Sequence, residues 1–205
     1  MTDAAVPGPA RQVLRRDAFA MPLRTVAGLR LARGAGARLA AHLVLLDADT
    51  LALLQTRQVE AADGDDTAAL AQVLAPLQAQ PDLVFVRGHG IAHPQRLGLA
   101  SRLGVLADLP TIGVDDTALL GTAALLHEIR GAHTPLRDGR EQVGWLLRSR
   151  PGADPLVVSP GHRVSMTAAA QLTMRFVAGD RLPEPIRLAD AAALAAFTAT
   201  GRAPA

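Results

Sequence analysis

Apolar residues in the first third of the chain fall in three short runs. Residues 25–32 alternate well enough between apolar and polar positions to predict a strand, and residues 40–47 form a nearly continuous apolar run. Residues 51–58 follow after the turn-forming sequence Ala-Asp-Thr, so the second and third runs are predicted to pair as an antiparallel hairpin. The pattern therefore predicts three successive strands at the start of the fold.

A crossover helix and a buried strand are predicted next. Acidic residues precede a stretch with helical spacing, which predicts a helix over residues 66–80. Its apolar positions are Leu70, Val73, Leu74 and Leu77. Residues 83–86 are apolar on both faces and are followed, after Arg87, by Gly-His-Gly. This is typical of a buried parallel strand that ends in a loop.

The rest of the chain alternates between helices and strands. Helices are predicted over residues 95–107, 165–178 and 187–198, and strands over residues 111–114, 143–148 and 156–159. Residues 1–20 are polar and carry Arg, Pro and Gly, which predicts a flexible N-terminal arm before a single domain over residues 21–205. The order of elements predicts an α/β fold, but propensity alone does not distinguish one α/β sheet from another.

Composition changes this picture only modestly. The chain has four Phe, one Trp and no Tyr among its 205 residues, so the predicted core is aliphatic. All basic residues are arginine, and the net charge of +2 is too small to indicate a nucleic-acid partner by itself. The absence of Cys excludes disulfides, thiolate zinc sites and a Cys nucleophile. Neither a signal peptide nor a membrane span is recognisable, so we expect a cytoplasmic protein without a membrane partner.

Several motifs from Pro81 onward identify a family. The chain reads PDLVFVRGHGIAHPQRLGLASRLGVLADLPTIGV, then PLRDGREQVGWLLRSRPGADPLVVSPGHRVS, then RLPEPIRLAD. These segments closely resemble the endonuclease V family, in which a strand ends in an aspartate followed by Gly-His-Gly, with His-Pro, Arg-Leu-Gly and Pro-Thr-Ile-Gly-Val after it. The resemblance implies a ribonuclease H-like fold. In that fold a mixed central sheet, with three antiparallel strands followed by parallel strands, is flanked by helices.

The resemblance also implies an activity. Endonuclease V enzymes cut a strand near deoxyinosine, or near inosine in RNA, and leave a 3′ hydroxyl. In the family, Mg²⁺ is held by acidic residues from the first strand, from the crossover region and from the strand before Gly-His-Gly. Hydrolysis of a phosphodiester needs such a cation to lower the pKa of water and to neutralise charge on the phosphoryl group. Mg²⁺ prefers hard, anionic oxygen ligands.

Five positions of this chain correspond to the family's site and depart from its pattern. The first-strand aspartate falls on Arg30, and the aspartate before Gly-His-Gly falls on Arg87. The family's glutamate aligns loosely with Asp66, its active-site lysine falls on or beside Asp116, and an active-site histidine matches His162. No intact set of catalytic residues is therefore expected.

The sign reversals at Arg30 and Arg87 predict the loss of the metal. A guanidinium about 4 Å from the site adds a repulsion of several kcal/mol at intermediate dielectric, so we expect no metal and no cofactor. The alternative is a shifted Mg²⁺ site, built from Asp65, Asp66, Asp115 or Asp116.

Two compatible interpretations are open for Arg30, Arg87 and Asp116. In the first, the former acidic cluster and the former lysine have exchanged signs and now pair with each other. In the second, the guanidiniums occupy the space of the lost ions and hold a phosphate, for which their planar forks are suited.

The motif loops supply further candidates for contacts to nucleic acid or phosphate. His89 and His93 follow a buried strand, where ligand sites in α/β sheets usually form. Glycines in these loops permit the close backbone approach that a pocket for a flipped base needs, although tight turns explain them equally well. The candidate set is Arg30, Arg87, Gly88, His89, Gly90, His93, Gly113, Gly121, His162 and Arg163. Other arginines near the loops, Arg96, Arg102, Arg148 and Arg150, are candidates for backbone contacts.

Three functions follow as hypotheses. The first is a protein that binds inosine-containing, single-stranded or distorted DNA or RNA but has lost metal-dependent cleavage. The second is an active deoxyinosine 3′ endonuclease with a rebuilt Mg²⁺ site. The third is an interaction scaffold without nucleic-acid binding, whose cleft is bridged by pairs of arginine and aspartate.

Overall fold

One mixed sheet runs through the described part of the chain. The computed structural model describes residues 12–33, 39–61, 66–75 and 77–199. In chain order the strands are β1 (Thr25–Arg33), β2 (Leu39–Asp47), β3 (Leu53–Ala61), β4 (Leu83–Arg87), β5 (Thr111–Asp115), β6 (His133–Asp138), β7 (Glu141–Leu147) and β8 (Leu156–His162). They are arranged in the order β3-β2-β1-β4-β5-β8-β7-β6.

The strand directions confirm the predicted mixed sheet. β1, β2 and β3 are antiparallel neighbours, and β4 and β5 continue the sheet parallel to β1. β8, β7 and β6 then add three antiparallel strands, of which the sequence pattern did not predict β6. β6 has the sequence HTPLRD and is the last strand of the sheet. A proline is tolerated there because one side of an edge strand forms no backbone hydrogen bonds with a neighbouring strand.

Helices cover both faces of the sheet. They are α1 (Asp66–Leu74), α2 (Leu99–Ala107), α3 (Met166–Arg175) and α4 (Glu184–Ala199). α1 and α2 pack on the face that carries Val84, whereas α3 and α4 pack on the face that carries Phe85. None of these described helices is long and apolar enough to cross a membrane.

Two helix starts differ from the prediction. α2 begins at Leu99 rather than at residue 95, because Arg96 has a left-handed backbone with φ of 54° and the Gly98 amide donates to the Gly90 carbonyl. α4 begins at Glu184 rather than at Arg187. Proline fits the first turn of a helix, where its missing amide hydrogen has no partner to lose, so Pro185 does not prevent this early start.

The parallel strands β1, β4 and β5 indicate where a ligand-binding site could form. Parallel strands end at the same edge of a sheet, and we call this the carboxyl edge. The register pairs Leu29 with Val86 and Arg87 with Val114, so Arg30 and Arg87 are neighbours at that edge. Open α/β sheets commonly bind ligands at such an edge.

Gly28 determines how closely α4 approaches the sheet. A Cβ atom at Gly28 would lie 1.9 Å from the Pro185 carbonyl oxygen, so any larger residue would push the first turn of α4 away. Side chains alternate along a strand, and Arg30 therefore points to the same face as Gly28. The second turn of α4, which carries Asp190, lies beside it.

Part of the predicted N-terminal arm is attached to the domain. Val13 is buried, and the Leu14 amide donates to Nδ1 of His162 over 3.2 Å. Asp17 accepts hydrogen bonds from the amide and hydroxyl of Ser165. Residues 1–11, the remainder of that arm, lie outside the described residues, and the single domain over residues 21–205 stays a prediction.

Candidate nucleic-acid site at the carboxyl edge

Five charged side chains from different elements form a chain of ion pairs at the carboxyl edge. Asp190 bridges two arginines, with Oδ1 3.3 Å from Nη1 of Arg30 and Oδ2 3.6 Å from Nε of Arg87. Asp116 bridges the next two, since Arg87 Nη2 donates to one of its oxygens and Arg181 Nη2 lies 2.6 Å from the other. We call these five residues the arginine–aspartate cluster.

Each member of the cluster is positioned by its own element. Arg87 ends β4 and its side chain is only 13% exposed, while Asp116 follows directly after β5. Arg181 lies in the loop before α4, where its Nε donates to the Asp154 carbonyl over 2.7 Å and its carbonyl accepts from the Ser149 hydroxyl. The cluster therefore joins the loop before α4 and the second turn of α4 to the central strands.

The two carboxylates differ in how readily they ionise. Burial alone would raise the pKa of Asp116, but the hydrogen bonds and charges of Arg87 and Arg181 outweigh burial and hold that pKa below its usual value. For Asp190 burial dominates, so its pKa lies above the usual value in spite of Arg30 and Arg87. Burial also opposes the charge of Arg87, but its pKa stays raised because Asp116 and other nearby carboxylates favour the cation. With both aspartates ionised, the cluster carries one net positive charge.

One hydrogen-bond donor of the Arg87 guanidinium is unsatisfied. Its Nη1 atom is buried and has no hydrogen-bond partner among the described residues. A buried donor without an acceptor costs roughly 1–3 kcal/mol, and more when the group is charged. An acceptor oxygen supplied by a ligand would remove that cost.

The Gly-His-Gly loop is held by backbone packing. A Cβ atom at Gly90 would lie 2.0 Å from the Pro160 carbonyl oxygen, and one at Gly113 would lie 2.4 Å from the Gly90 amide nitrogen. Backbone thus fills the space beside both glycines, and it leaves no pocket for a base at these two points. Gly88 has φ of 144°, a conformation that favours glycine. His89 ties the loop down, since its Nε2 donates to the Thr117 carbonyl over 2.8 Å.

Two other predicted loop residues lie in local turns. His93 accepts from the Gln95 amide through Nδ1 over 3.3 Å, and burial, assisted by His89 and Arg102, holds its pKa below the usual value. Gly121 has φ of 88° and packs against the carbonyl of Arg137 in β6. Three strands separate β6 from β4, so Gly121 packs against a part of the sheet that is distant from Arg87.

The structure does not bring His162 and Arg163 into the cluster. β8 runs antiparallel to β5 and pairs His162 with Thr111, whereas Asp115 pairs with Val157. The four residue steps from Thr111 to Asp115 separate the two edges of the sheet by roughly 13 Å. The Pro-Gly-His motif does not reveal strand direction, which is why the sequence placed His162 in the site.

His162 and Arg163 both contact Asp108 at the edge opposite the cluster. Nε2 of His162 lies 3.3 Å from Oδ1 of Asp108, and Nη1 of Arg163 donates to Oδ2 of the same residue over 2.9 Å. Burial lowers the pKa of His162, although Asp108 opposes this shift. Neutral His162 can then accept the Leu14 amide through Nδ1, which indicates a role in attaching residues 12–20.

Other predicted contacts are engaged within the chain or lie outside the described side chains. Arg96 pairs with Asp138 and Glu141, and Arg148 pairs with Glu128 and donates to two carbonyls. These two guanidiniums hold loops together. Asp66 begins α1, but its side chain lies outside the described residues.

Sequence reasoning missed Arg181 and Asp190. Both lie in the segment RLPEPIRLAD, which was used only to recognise the family. A signal was present for Asp190, because Ile186, Ala189 and Ala193 mark the buried face of α4 and Asp190 adjoins it. An acidic residue beside a buried helix face needs a cationic or hydrogen-bonding partner.

Comparison with known proteins identifies the family. Residues 66–191 match the sequence model of the Endonuclease V family. An endonuclease V from Xanthomonas axonopodis pv. citri is 43% identical over 192 residues, which cover 88% of this chain and 81% of that protein. This chain belongs to the endonuclease V family.

Solved endonuclease V structures confirm the ribonuclease H-like fold. The Streptomyces avermitilis endonuclease V has a TM-score of 0.81 at 32% identity, with 94% of this chain and 90% of that chain covered. A Ciona intestinalis endonuclease V, solved in complex with a 24mer DNA containing an inosine followed by a ribo-adenosine, has a TM-score of 0.75. That likeness covers 94% of each chain at 19% identity and shows the fold alone.

Proposed function

We propose that this endonuclease V-family protein binds single-stranded, inosine-containing or otherwise distorted nucleic acid without cleaving it by metal-dependent chemistry. The observation that carries the proposal is the arginine–aspartate cluster. Three guanidiniums, from Arg30 within β1, Arg87 at the end of β4 and Arg181 before α4, lie at this edge, and each of the two carboxylates already bridges two of them. Family membership and the DNA bound by the Ciona intestinalis relative support nucleic acid as the partner.

The described residues do not fit Mg²⁺ at this edge. Mg²⁺ requires several oxygen ligands in near-octahedral geometry at about 2.0–2.1 Å. The oxygens of Asp116 and Asp190 face Arg30, Arg87 and Arg181, whose charges would repel a divalent cation. No group of three or more His, Asp and Glu side chains in the described part of the chain could hold a metal ion. No step of a reaction is therefore assigned to a metal here.

A backbone phosphate fits the same place better. A phosphodiester carries one negative charge, which would balance the net positive charge of the cluster. Nη1 of Arg87 offers it a buried donor, and Arg30, whose side chain is 36% exposed, can turn part of its guanidinium toward the same oxygen. Arginine suits this role because its planar fork matches the oxygens of a phosphate. The cluster would thus bind phosphate and leave the ester bond intact.

Two measurements on the purified protein test the proposal. A single-stranded oligonucleotide containing one inosine is incubated with Mg²⁺ or Mn²⁺, and its length is followed on a denaturing gel. The same oligonucleotide is titrated with protein in EDTA at several salt concentrations, beside an otherwise identical strand without inosine. We expect an intact strand and an affinity that falls as salt rises.

The two other functions give different results in these measurements. Metal-dependent cleavage beside inosine would favour an active endonuclease with a rebuilt site, for which Asp115 and Asp116 lie at the carboxyl edge. Absence of binding at low salt would favour the interaction scaffold. The bridged cluster is compatible with a scaffold, because its ion pairs stabilise the fold whether or not a phosphate binds.

A further inference from the structure

A small pocket adjoins the arginine–aspartate cluster, between α4 and the last part of β1. We call it the α4 pocket. Its volume is about 160 Å³, and it is lined by Arg30, Ala32, Asp190, Ala193, Leu194 and Phe197. Arg30 and Asp190 are also members of the cluster, where Nη1 of the first lies 3.3 Å from Oδ1 of the second. The pocket and the cluster therefore share two side chains.

The spacing of residues explains why one end of the α4 pocket is charged and the other apolar. Asp190, Leu194 and Phe197 are four and three residues apart, so they follow one another along one side of α4. Arg30 and Ala32 are two residues apart and point to the same face of β1. On both elements the charged residue comes first and the apolar residues follow.

β1 continues beyond the strand next to it, which leaves room for the pocket. The last pair between β1 and β4 joins Leu29 to Val86, whereas β1 itself runs on to Arg33. Within the described part of the chain, no strand pairs with β1 on this side beyond that point. The last residues of β1 therefore have α4 on one face and an open side toward the carboxyl edge.

Small side chains keep the space between α4 and β1 unfilled. The helix follows the strand from the close contact of Pro185 with Gly28 to the ion pair of Asp190 with Arg30. Further along, Ala32 and Ala193 contribute only methyl groups, and both residues are buried. These methyl groups form an apolar floor for the pocket.

Two larger apolar side chains of the α4 pocket remain accessible to a ligand. Leu194 is 54% exposed, although most large apolar side chains of the described residues are buried in the core. Phe197, one helical turn later, is half-buried. An aliphatic and an aromatic side chain thus lie next to the guanidinium of Arg30.

We propose that the α4 pocket binds one base of a single-stranded nucleic acid whose neighbouring phosphate is held by Arg30 and Arg87. This inference rests on the proposed function, and it adds the part of the ligand that the cluster itself does not contact. Proteins that bind single strands stack bases on aromatic side chains and on the planar guanidinium of arginine. Phe197 and Arg30 offer both kinds of surface within one pocket.

The size and the charge of the pocket favour a nucleotide as its occupant. Sites for drug-sized ligands have volumes of about 300–1,000 Å³, so a pocket of about 160 Å³ suits a single small ring system. A nucleotide joins such a ring to an anion. An apolar protein segment would gain nothing from the cationic end of the pocket, and a free phosphate would gain nothing from Leu194.

Substitution of Leu194 tests the inference with two labelled single strands of equal length. One strand contains an inosine among ordinary bases, and the other is abasic throughout, so it keeps the phosphates and lacks every base. Both are titrated in EDTA at low salt. We expect Leu194→Ala to weaken binding of the first strand by about 3- to 10-fold through lost apolar contact. Binding of the abasic strand should not change.

Leu106→Ala is the matched control. Leu106 is a 45% exposed leucine near the end of α2, which packs on the opposite face of the sheet from α4. The control makes the same change in a helix at similar exposure. It should leave the affinity for both strands unchanged.

The Leu194→Trp variant supplies an independent readout. Emission from a tryptophan that lies against a base is quenched, so the inosine-containing strand should quench this variant and the abasic strand should not. Leu106→Trp should show no more quenching than the wild type, whose Trp145 is half-buried.

The outcomes separate this inference from the proposed function. With a wild type that binds the inosine-containing strand, unchanged affinity in Leu194→Ala or an unquenched Leu194→Trp overturns the inference and leaves the proposed function standing. An equal loss of affinity for both strands in Leu194→Ala also overturns it, because Leu194 would then act only by positioning Arg30 or Asp190. A wild type that binds neither strand overturns both.

Discussion

Asp190 and Arg87 meet at the carboxyl edge, with Oδ2 of Asp190 3.6 Å from Nε of Arg87. The contact ties the second turn of α4 to the last residue of β4. Asp190 also pairs with Arg30, and Arg87 also pairs with Asp116, so cations and anions alternate along this edge. The family resemblance implies acidic metal ligands in the same region.

Arg87 should supply one phosphate contact to a bound strand. Arg87→Ala is expected to weaken oligonucleotide binding and to reduce the slope of affinity against salt by about one phosphate contact. Arg87→Lys should recover only part of the affinity, because an ammonium lacks the planar fork. Arg175→Ala is the control, since Arg175 pairs with Asp49 away from the cluster. An unchanged salt slope in Arg87→Ala would remove Arg87 from the binding surface.

Asp116 should stabilise the fold at neutral pH and lose this effect in acid. Its pKa is lowered in the folded state, so its contribution is present above the ordinary value of 3.8 and disappears as pH falls through the lower folded value. Asp116→Asn should reduce the free energy of unfolding at pH 7 by about 1 kcal/mol, a modest value because the side chain is 41% exposed. Urea unfolding at several pH values should show the difference from wild type shrinking below pH 4.

Asp190 should have the opposite dependence on pH. Its pKa is raised in the folded state, so the ionised form is disfavoured there and stability is lost as pH rises from 3.8 through the folded value. Asp190→Asn should therefore gain stability relative to wild type as pH rises from 3 to 7. The same urea measurements apply, and parallel pH profiles for the Asp116 and Asp190 variants would contradict the assignment of their shifts.

His162 should affect the N-terminal segment and leave nucleic-acid binding unchanged. Burial lowers its pKa in the folded state, so the neutral form that accepts from Leu14 persists below the ordinary value of 6.5 and is lost only as pH falls through the lower folded value. His162→Ala should increase hydrogen exchange at the Leu14 amide at pH 7, with oligonucleotide affinity unchanged. A large loss of affinity would place His162 in the binding site after all.

Reversal of the substituted charges should create a metal site. Arg30→Asp and Arg87→Asp, combined with Asp66→Glu and Asp116→Lys, add carboxylates beside Asp190 and remove two of the three guanidiniums of the cluster. Titration calorimetry should then detect Mg²⁺ or Mn²⁺ binding that the parent protein lacks. Equal binding by the parent and by the quadruple variant would show that these positions are not the metal ligands of the family.

Local patterns predicted the elements that carry most of the cluster. The apolar runs before Arg30, Arg87 and Asp116 located β1, β4 and β5, and parallel strands necessarily end at one edge. β6 was missed because its polar, proline-containing sequence lacks the alternation of a half-buried strand. An edge strand needs little apolar surface, so its pairing with β7 depends on the tertiary structure.

Most of the ion pairs within the cluster could not be predicted from the sequence. Asp190 is 160 residues from Arg30, and their contact depends on how closely α4 approaches β1 at Gly28. Arg87 and Asp116 were predicted to pair in the charge-swapped interpretation, and they do so. His162 lies at the opposite edge of the sheet from the cluster, which the sequence could not show because a motif match gives residue identity without giving the direction of the strand that ends there.

We propose that the carboxyl edge of the sheet binds an anion in place of a divalent cation. Anomalous diffraction can decide between the two, on crystals of the protein with an inosine-containing oligonucleotide in the presence of Mn²⁺. We expect a backbone phosphate within hydrogen-bond distance of Arg87 Nη1 and no anomalous peak between Arg30 and Arg87. A Mn²⁺ peak coordinated by Asp116 or Asp190 would contradict it.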